Sequence, residues 1–348
     1  MDRESIESRA ADYVAQESND GFRREVETLV SDGNWDELSD RFYTDLEFGT
    51  GGLRGVIGGG YNRMNWFVVR RATQGLAQYV VRNGVPGPDG KLSAVIAHDS
   101  RHYSDEFSLQ AALVLCAHGI RTYLFPSLRP TPELSFAVRT LNAATGIVVT
   151  ASHNPPQYNG YKVYWNDGSQ VVPPHDKGII AEVLSVTGTI RTMKKEDALA
   201  QGLLVYVDRE IDDAFAAAVR GASLRPELIR ERGKDLKIVY TPLHGTGAVM
   251  VERVLGELGI TVHTVPEQRE PDGDFPTVKF PNPEEASAMT LALALGRREH
   301  ADIVMGTDPD ADRIGIAVPD GDDFRLITGN QLGVLLADYI FSTRRELG

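Results

Sequence analysis

A chain of 348 residues is longer than one ordinary domain, and 42% hydrophobic with 24% charged residues is a globular composition that can bury a sizeable core. A net charge of −13 excludes broad nucleic-acid binding, which needs basic surface, but not a small basic pocket. A lone cysteine, Cys116, excludes an internal disulfide. A charged N-terminus without an apolar core, and no apolar run near the ~20 residues that span a bilayer, predict a soluble cytoplasmic protein without membrane partners.

In chain order, residues 6–31 place Ile6, Ala10, Tyr13 and Val14 at helical spacing and predict one or two surface helices. Gly-rich sequence follows over 49–60, then a helix over Val68–Val81 closed by Asn83-Gly84. Ala94–Ala97 reads as a buried strand with the loop Asp99-Ser100-Arg101 after it. Ser108–His118 reads as an apolar helix that buries Cys116, and Thr122–Phe125 as the next strand. Thr131-Pro132 predicts a helix start, with Thr as N-cap and Pro at the first helical position. Gly146–Thr150 is a further β-branched run. After a polar stretch at 187–201 and a connecting helix over Ile211–Val219, the alternation resumes. Strands are expected at Lys237–Thr241, Thr261–Val265 and Asp302–Met305, and helices at Val249–Leu258 and Pro283–Leu295. A third unit begins near Leu326, with a strand and then a helix over Gln331–Phe341. Such alternation predicts an α/β fold of successive domains with helices on the faces of each sheet.

Three constellations carry chemistry. Thr150-Ala151-Ser152-His153-Asn154-Pro155-Pro156 follows a buried strand, where ligands of open α/β sheets gather; a plain Ser/Asn/Pro turn is the alternative. Asn159-Gly160 reads as a hairpin turn that folds Lys162 back toward Ser152, with Lys162 and Tyr164 on the strand face opposite Tyr161, Val163 and Trp165. The hydrolase elbow Gly-x-Ser-x-Gly is absent. Second, Asp308, Asp310 and Asp312 alternate just beyond a buried strand. In extended chain they point one way and repel unless a hard divalent cation such as magnesium joins them. An EF-hand is excluded, because its sixth position is Arg313 and its twelfth Pro319; a solvated acidic turn is the alternative. Third, the loop Gly49-Thr50-Gly51-Gly52-Leu53-Arg54-Gly55 offers backbone amides and Arg54 to a phosphate, or is a flexible turn; it is neither a Walker A loop nor Gly-x-Gly-x-x-Gly. Gly245-Thr246-Gly247 reads as a turn, with a weaker phosphate loop as the alternative, and Arg101 as a surface charge or an anion ligand. His98, His118 and His263 form no metal spacing.

Together these motifs resemble the α-D-phosphohexomutase superfamily, which includes phosphoglucomutase and phosphomannomutase, from about Asp45 onward. Thr-Ala-Ser-His-Asn-Pro with its downstream Tyr-Asn-Gly-Tyr-Lys is similar to the family's phosphoserine segment. Asp308-Pro309-Asp310-Ala311-Asp312-Arg313 is similar to its metal loop, which usually has Gly where Pro309 and Ala311 stand. Gly-Thr-Gly-Gly-Leu-Arg-Gly and Thr241-Pro242-Leu243-His244-Gly245-Thr246-Gly247 look most like the longer phosphoglucomutase and phosphopentomutase branch.

The resemblance implies a magnesium-dependent mutase that moves phosphate between the 1- and 6-positions of a hexose, glucose above all, with a phosphorylated Ser152 and glucose 1,6-bisphosphate as intermediate. Asp308, Asp310, Asp312 and a Ser152 phosphate oxygen would hold magnesium. His153 and Lys162 would serve as general acid and base, and Arg54 and Arg313 would steady the phosphoryl group, with Arg101 and Asn154 as further phosphate contacts. The magnesium ion with Arg54, Arg313 and Lys162 would offset the charge of three carboxylates and a phosphate dianion. By the same resemblance, residues 1–44 are a helical extension, 45–205 a first domain, 206–321 a second and 322–348 the start of a third. The family's Gly-Glu-x-Ser-Gly sugar loop and its Ser-Gly-Thr phosphate loop do not occur in the sequence.

Overall fold

A computed structural model describes residues 2–49, 52–207 and 209–348. The chain divides into two compact units. The first is Met1–Ser127, Leu134–Ala151 and Pro156–Val207; the second is Leu128–Glu133, Ser152–Pro155 and Asp208–Gly348. Among the described residues, no helix is long and apolar enough to cross a membrane.

The first unit opens with α1 (Arg3–Gln16), α2 (Asp20–Ser31) and α3 (Trp35–Phe42). Asp2, Asn19 and Asn34 cap them, each side chain accepting from an early backbone N–H of its helix. Sequence periodicity missed α3, a single short amphipathic stretch that becomes helical by burying Leu38 and Phe42. Tyr13, Phe42 and Tyr61 meet edge to face in the core beneath these helices. The elements that follow are β1 (Gly52–Val56), α4 (Trp66–Asn83), β2 (Ser93–His98), α5 (Ser104–Ala117), β3 (Arg121–Leu124), α6 (Thr131–Thr140), β4 (Thr145–Val149), β5 (Tyr158–Trp165), α7 (His175–Ser185), α8 (Lys195–Ala200) and β6 (Leu204–Tyr206). The sheet runs β1-β5-β4-β2-β3-β6; β5 is antiparallel to β4 and β1, and the other pairs are parallel. β2 and β4 are buried along their whole length, as expected of strands covered on both faces. Cys116 is buried in α5 and burial raises its thiol pKa, in keeping with a structural thiol.

Two readings are corrected here. Residues 52–56 of the Gly-rich stretch form a strand; Thr50 and Gly51 of that loop lie outside the described residues. Asn159-Gly160 is not a hairpin turn but lies inside β5, paired with Gly55 and Arg54 of β1. Its glycine answers a packing demand: a Cβ on Gly160 would sit 2.4 Å from the Thr150 carbonyl oxygen. The Asn159 amide donates to the His102 carbonyl (2.9 Å) and the Ser104 hydroxyl (3.0 Å), which locks the strand to the loop after β2.

The second unit contains α9 (Arg209–Gly221), α10 (Pro226–Arg232), β7 (Lys237–Thr241), α11 (Gly247–Glu257), β8 (Thr261–Thr264), α12 (Pro266–Arg269), α13 (Thr290–Glu299), β9 (Ile303–Thr307), β10 (Ile314–Asp320), β11 (Asp323–Ile327) and α14 (Gly329–Leu347). Its sheet runs β11-β10-β9-β7-β8; β7 is parallel to β8 and β9, and β10 is antiparallel to β9 and β11. Val239, Met289, Ala292, Leu295, Val304 and Ala317 form its core. The helix expected from Pro283 starts only at Thr290. Asn282 accepts from the Glu284 N–H in a local turn, and Glu285 and Ala288 form another, so the apolar period there is spent on turns. α14 is longer than its periodicity indicated: Thr328 and Gln331 close a reciprocal capping box that starts it at Gly329, and it runs on to Leu347. Its apolar face is open: Val334 is 70% exposed and Phe341 73%.

Candidate functional site

The turn between β9 and β10 carries the three aspartates. The sequence reading placed them along extended chain; instead Ala311 turns the backbone at φ +53°, and its N–H donates to the Asp308 carbonyl at 2.9 Å. The result for the side chains is the expected one. Asp308, Asp310 and Asp312 each offer a carboxylate oxygen, all within 4.8 Å of one another, with the first two buried and the third exposed. Burial, and then the negative charge of Asp310 and Asp312, push the Asp308 carboxyl up to about 8. Three oxygen donors around concentrated negative charge fit a hard divalent cation, and the absence of His and Cys disfavours zinc.

Ser152 follows β4 and is grouped with the second unit. Its backbone is left-handed, at φ +55°, a conformation that non-glycine residues adopt at a cost. The side chain is buried, and its hydroxyl donates to Asp308 Oδ2 at 2.7 Å. The other oxygen, Oδ1, accepts the Arg313 N–H at 3.0 Å, so both oxygens of Asp308 are engaged. His153 Nδ1 lies 3.2 Å from the Ser152 hydroxyl. Within this unit the structure therefore brings together Ser152, His153 and the three aspartates. Asn154 is half-buried in the same loop, and Arg313 is exposed, 3.6 Å from Glu284.

Three further predicted residues belong to the first unit. Arg54 on β1 and Lys162 on β5 are diagonal neighbours on one sheet face, since Arg54 pairs with Gly160 and Gly52 with Lys162. Arg54 is exposed and Lys162 half-buried. Arg101 is no surface charge: it is buried, its guanidinium lies 3.3 Å from Asp99, and it donates to the Tyr158 carbonyl at 3.0 Å. Asp99 also accepts from the hydroxyls of Thr150 (2.6 Å) and Ser104 (2.8 Å), tying the strand end before Ser152 into the first unit.

Sequence reasoning missed what braces the aspartate turn. The loop Thr241–Gly247, whose Gly245-Thr246-Gly247 reads as a turn in the sequence, lies against it: the Thr246 N–H donates to the Pro309 carbonyl at 2.8 Å, and a Cβ on Gly245 would be 2.3 Å from Pro309 Cα. Leu243 and His244 hold positive φ there. Burial lowers the His244 imidazole pKa, and its Nε2 lies 2.9 Å from the Thr277 hydroxyl. From the other side comes Thr131. Its hydroxyl does not cap α6 but donates to Asp310 Oδ2 at 2.8 Å, and its N–H donates to the Asp310 carbonyl at 2.9 Å.

Comparison with known proteins finds relatives along most of the chain. Residues 45–188 match the family model of phosphoglucomutase/phosphomannomutase alpha/beta/alpha domain I, and residues 213–321 match that of domain II. The chain is similar to a phosphoribomutase of Saccharomyces cerevisiae, 37% identical over 96% of this chain and 56% of that protein. It is also similar to a human phosphopentomutase, 35% identical over 98% of this chain and 57% of that protein. The chain thus spans a little over half the length of these relatives. Among solved structures, a phosphoglucomutase/phosphomannomutase family protein from Burkholderia thailandensis superposes with a TM-score of 0.67 at 23% identity, over 85% of this chain and 59% of that one, which shows the shared fold.

Proposed function

The chain belongs to the phosphoglucomutase/phosphomannomutase family, and we propose that it carries the phosphoserine and the metal ligands of a phosphosugar mutase. One observation supports this above the others: the hydroxyl of a backbone-strained, buried Ser152 reaches 2.7 Å to an aspartate of a three-carboxylate cluster. In this reading the phosphoserine 152 Oγ–P bond breaks and a P–O bond forms to the free hydroxyl of a sugar monophosphate. The hydroxyl proton passes to a base, and the serine oxygen is reprotonated. The sugar bisphosphate then returns its other phosphate to Ser152. His153, adjacent to the Ser152 hydroxyl, and Lys162 are the groups proposed to move these protons. Asp308, Asp310 and Asp312 would hold magnesium, which when bound supplies charge neutralisation for the phosphoryl oxygens. Arg54, Arg313, Arg101 and Asn154 are the proposed phosphate and substrate contacts; the partners that Arg101 already has give it a positioning part. The domain limits proposed are those of the sequence reading, 1–44, 45–205, 206–321 and 322–348, with the strand β11 of the last segment paired to β10 in the second unit's sheet.

The substrate is proposed as a phosphosugar that carries phosphate on its anomeric or terminal carbon. The motifs favour glucose 1-phosphate, with glucose 1,6-bisphosphate as phosphate donor. The names of the yeast and human relatives favour a pentose, ribose 1-phosphate. Incubation with glucose 1,6-bisphosphate or ribose 1,5-bisphosphate, followed by peptide mapping, tests the reading. Phosphate is expected on Ser152 and absent from Ser152→Ala; label only on another residue overturns it. The bisphosphate that labels faster identifies the sugar class.

A further inference from the structure

We propose that Thr131 is a positioning residue for the metal site, fixing the plane of the Asp310 carboxylate from outside the ligand set; this rests on the metal reading of the preceding subsection. The contact has two points. The hydroxyl donates to Asp310 Oδ2 at 2.8 Å, and the backbone N–H donates to the Asp310 carbonyl at 2.9 Å, so side chain and main chain of one ligand are held by one residue. Both residues are buried, Thr131 at 5% exposure and Asp310 at 0%, where a hydrogen bond to a carboxylate is strong and its direction is well defined.

Thr131 is itself held. It lies between Pro130 and Pro132, whose fixed φ angles narrow the conformations open to it. The preceding Arg129 makes a two-point pair with Asp212 of α9, Nε to Oδ1 at 2.8 Å and a terminal nitrogen to Oδ2 at 2.9 Å, with both partners buried. The two prolines also form part of the wall of an apolar cavity of about 260 Å³, together with Phe215, Met250, Val254 and Ala311. The segment Leu128–Glu133 is thus anchored in the second unit by a charge pair, and the Thr131 hydroxyl ties it to an aspartate of the cluster. Groups that orient a metal ligand typically contribute about 10- to 100-fold in metal affinity.

The test is Mn²⁺ binding to the purified chain without substrate, followed by the loss of the free-ion resonance signal, with folding checked by circular dichroism in EDTA. Thr131→Val removes the hydroxyl and keeps the shape, and is expected to weaken Mn²⁺ binding at least about tenfold. Thr131→Ser keeps the hydroxyl and is expected to stay within about threefold of the parent, a rescue that a purely packing role would not produce. Thr131→Ala serves if the valine variant does not fold, with the same expected loss. A parent that binds Mn²⁺ beside a valine variant of equal affinity overturns the inference and leaves the metal reading standing; so does equal weakening in valine and serine. A parent that binds no Mn²⁺ defeats the metal reading, and this inference with it.

Discussion

Replacing Asp308 with asparagine is expected to make the metal-free chain more stable and unresponsive to magnesium. In the metal-free fold Asp308 is buried beside two other carboxylates, which raises it to about 8 from an ordinary aspartate value of 3.8. Between those limits the folded chain holds a proton that the unfolded chain has released, so stability falls as pH rises. At pH 7 about three pH units separate the solution from the ordinary aspartate value, and at about 1.4 kcal/mol each they amount to roughly 4 kcal/mol of cost. Asparagine has the same shape and cannot ionise. Its oxygen can accept the Arg313 N–H and its amide can donate to the Ser152 hydroxyl, the two partners Asp308 now has. Some of the gain is lost in repacking, and a net increase of about 2 kcal/mol is expected. Urea unfolding should be followed by far-ultraviolet circular dichroism, because Trp35, Trp66 and Trp165 all lie in the first unit and their fluorescence does not report on the second. In EDTA the parent should lose stability from about pH 4 toward pH 8 while the variant loses less, and added Mg²⁺ should stabilise the parent alone. A variant less stable than the parent in EDTA at pH 7, or one with an undiminished pH slope, would refute the account.

Glu133 is buried, and burial followed by the neighbouring Asp212 raises it to about 9, so the protein should lose stability from this group also as pH rises above the ordinary glutamate value. Glu133→Gln should raise stability at pH 7.5 by at least about 1 kcal/mol, measured by urea titration at pH 5 and pH 7.5. Gly245→Ala places a Cβ 2.3 Å from Pro309 Cα and must push the aspartate turn; a destabilisation of about 1–3 kcal/mol and a clear drop in Mn²⁺ affinity are expected, and an unaffected variant would show that the turn yields freely. Val334 and Phe341 leave a large apolar face open on α14, so residues 1–348 should self-associate at high concentration. Val334→Glu with Phe341→Glu should shift sedimentation velocity profiles toward monomer, each side chain having offered about 1.5–3 kcal/mol of burial.

Much of the layered fold is legible in the sequence because its signals are local. Ala94–Ala97 and the β-branched run Gly146–Thr150 are short enough only for strands, and β2 and β4 lie over most of them, buried end to end. The Asp308–Asp312 cluster is legible for the same reason, since three carboxylates within five residues stay close in a strand or a turn. The errors arise where a local signal serves a distant partner. Asn159-Gly160 has the composition of a hairpin turn, but its glycine is needed because the Thr150 carbonyl passes 2.4 Å from where a Cβ would be. Thr131 has the composition of an N-cap, but its hydroxyl is taken by Asp310, 179 residues further along the chain. No spacing rule connects such positions.

Backbone strain is the other hidden feature, and four of the eight non-glycine residues at positive φ among the described residues lie at the site. A sequence announces left-handed backbone only through Gly or Asn, whereas here Ser152, Leu243, His244 and Ala311 all adopt it. Each such residue costs on the order of 1 kcal/mol or more and persists only where its surroundings over-determine it. Those surroundings can be named: Asp308 bonded to Ser152, the Asp308 carbonyl bonded to the Ala311 N–H, and the Gln268 carbonyl bonded to the His244 N–H at 3.0 Å. One of these residues, Ala311, sits in the turn that holds three carboxylates within reach of one another. Packing alone would favour the opposite choices, glycine at the left-handed positions and fewer charges at the strand end. Repulsion among the three carboxylates is a cost that packing does not offset, and a cation held there, as proposed, would offset it.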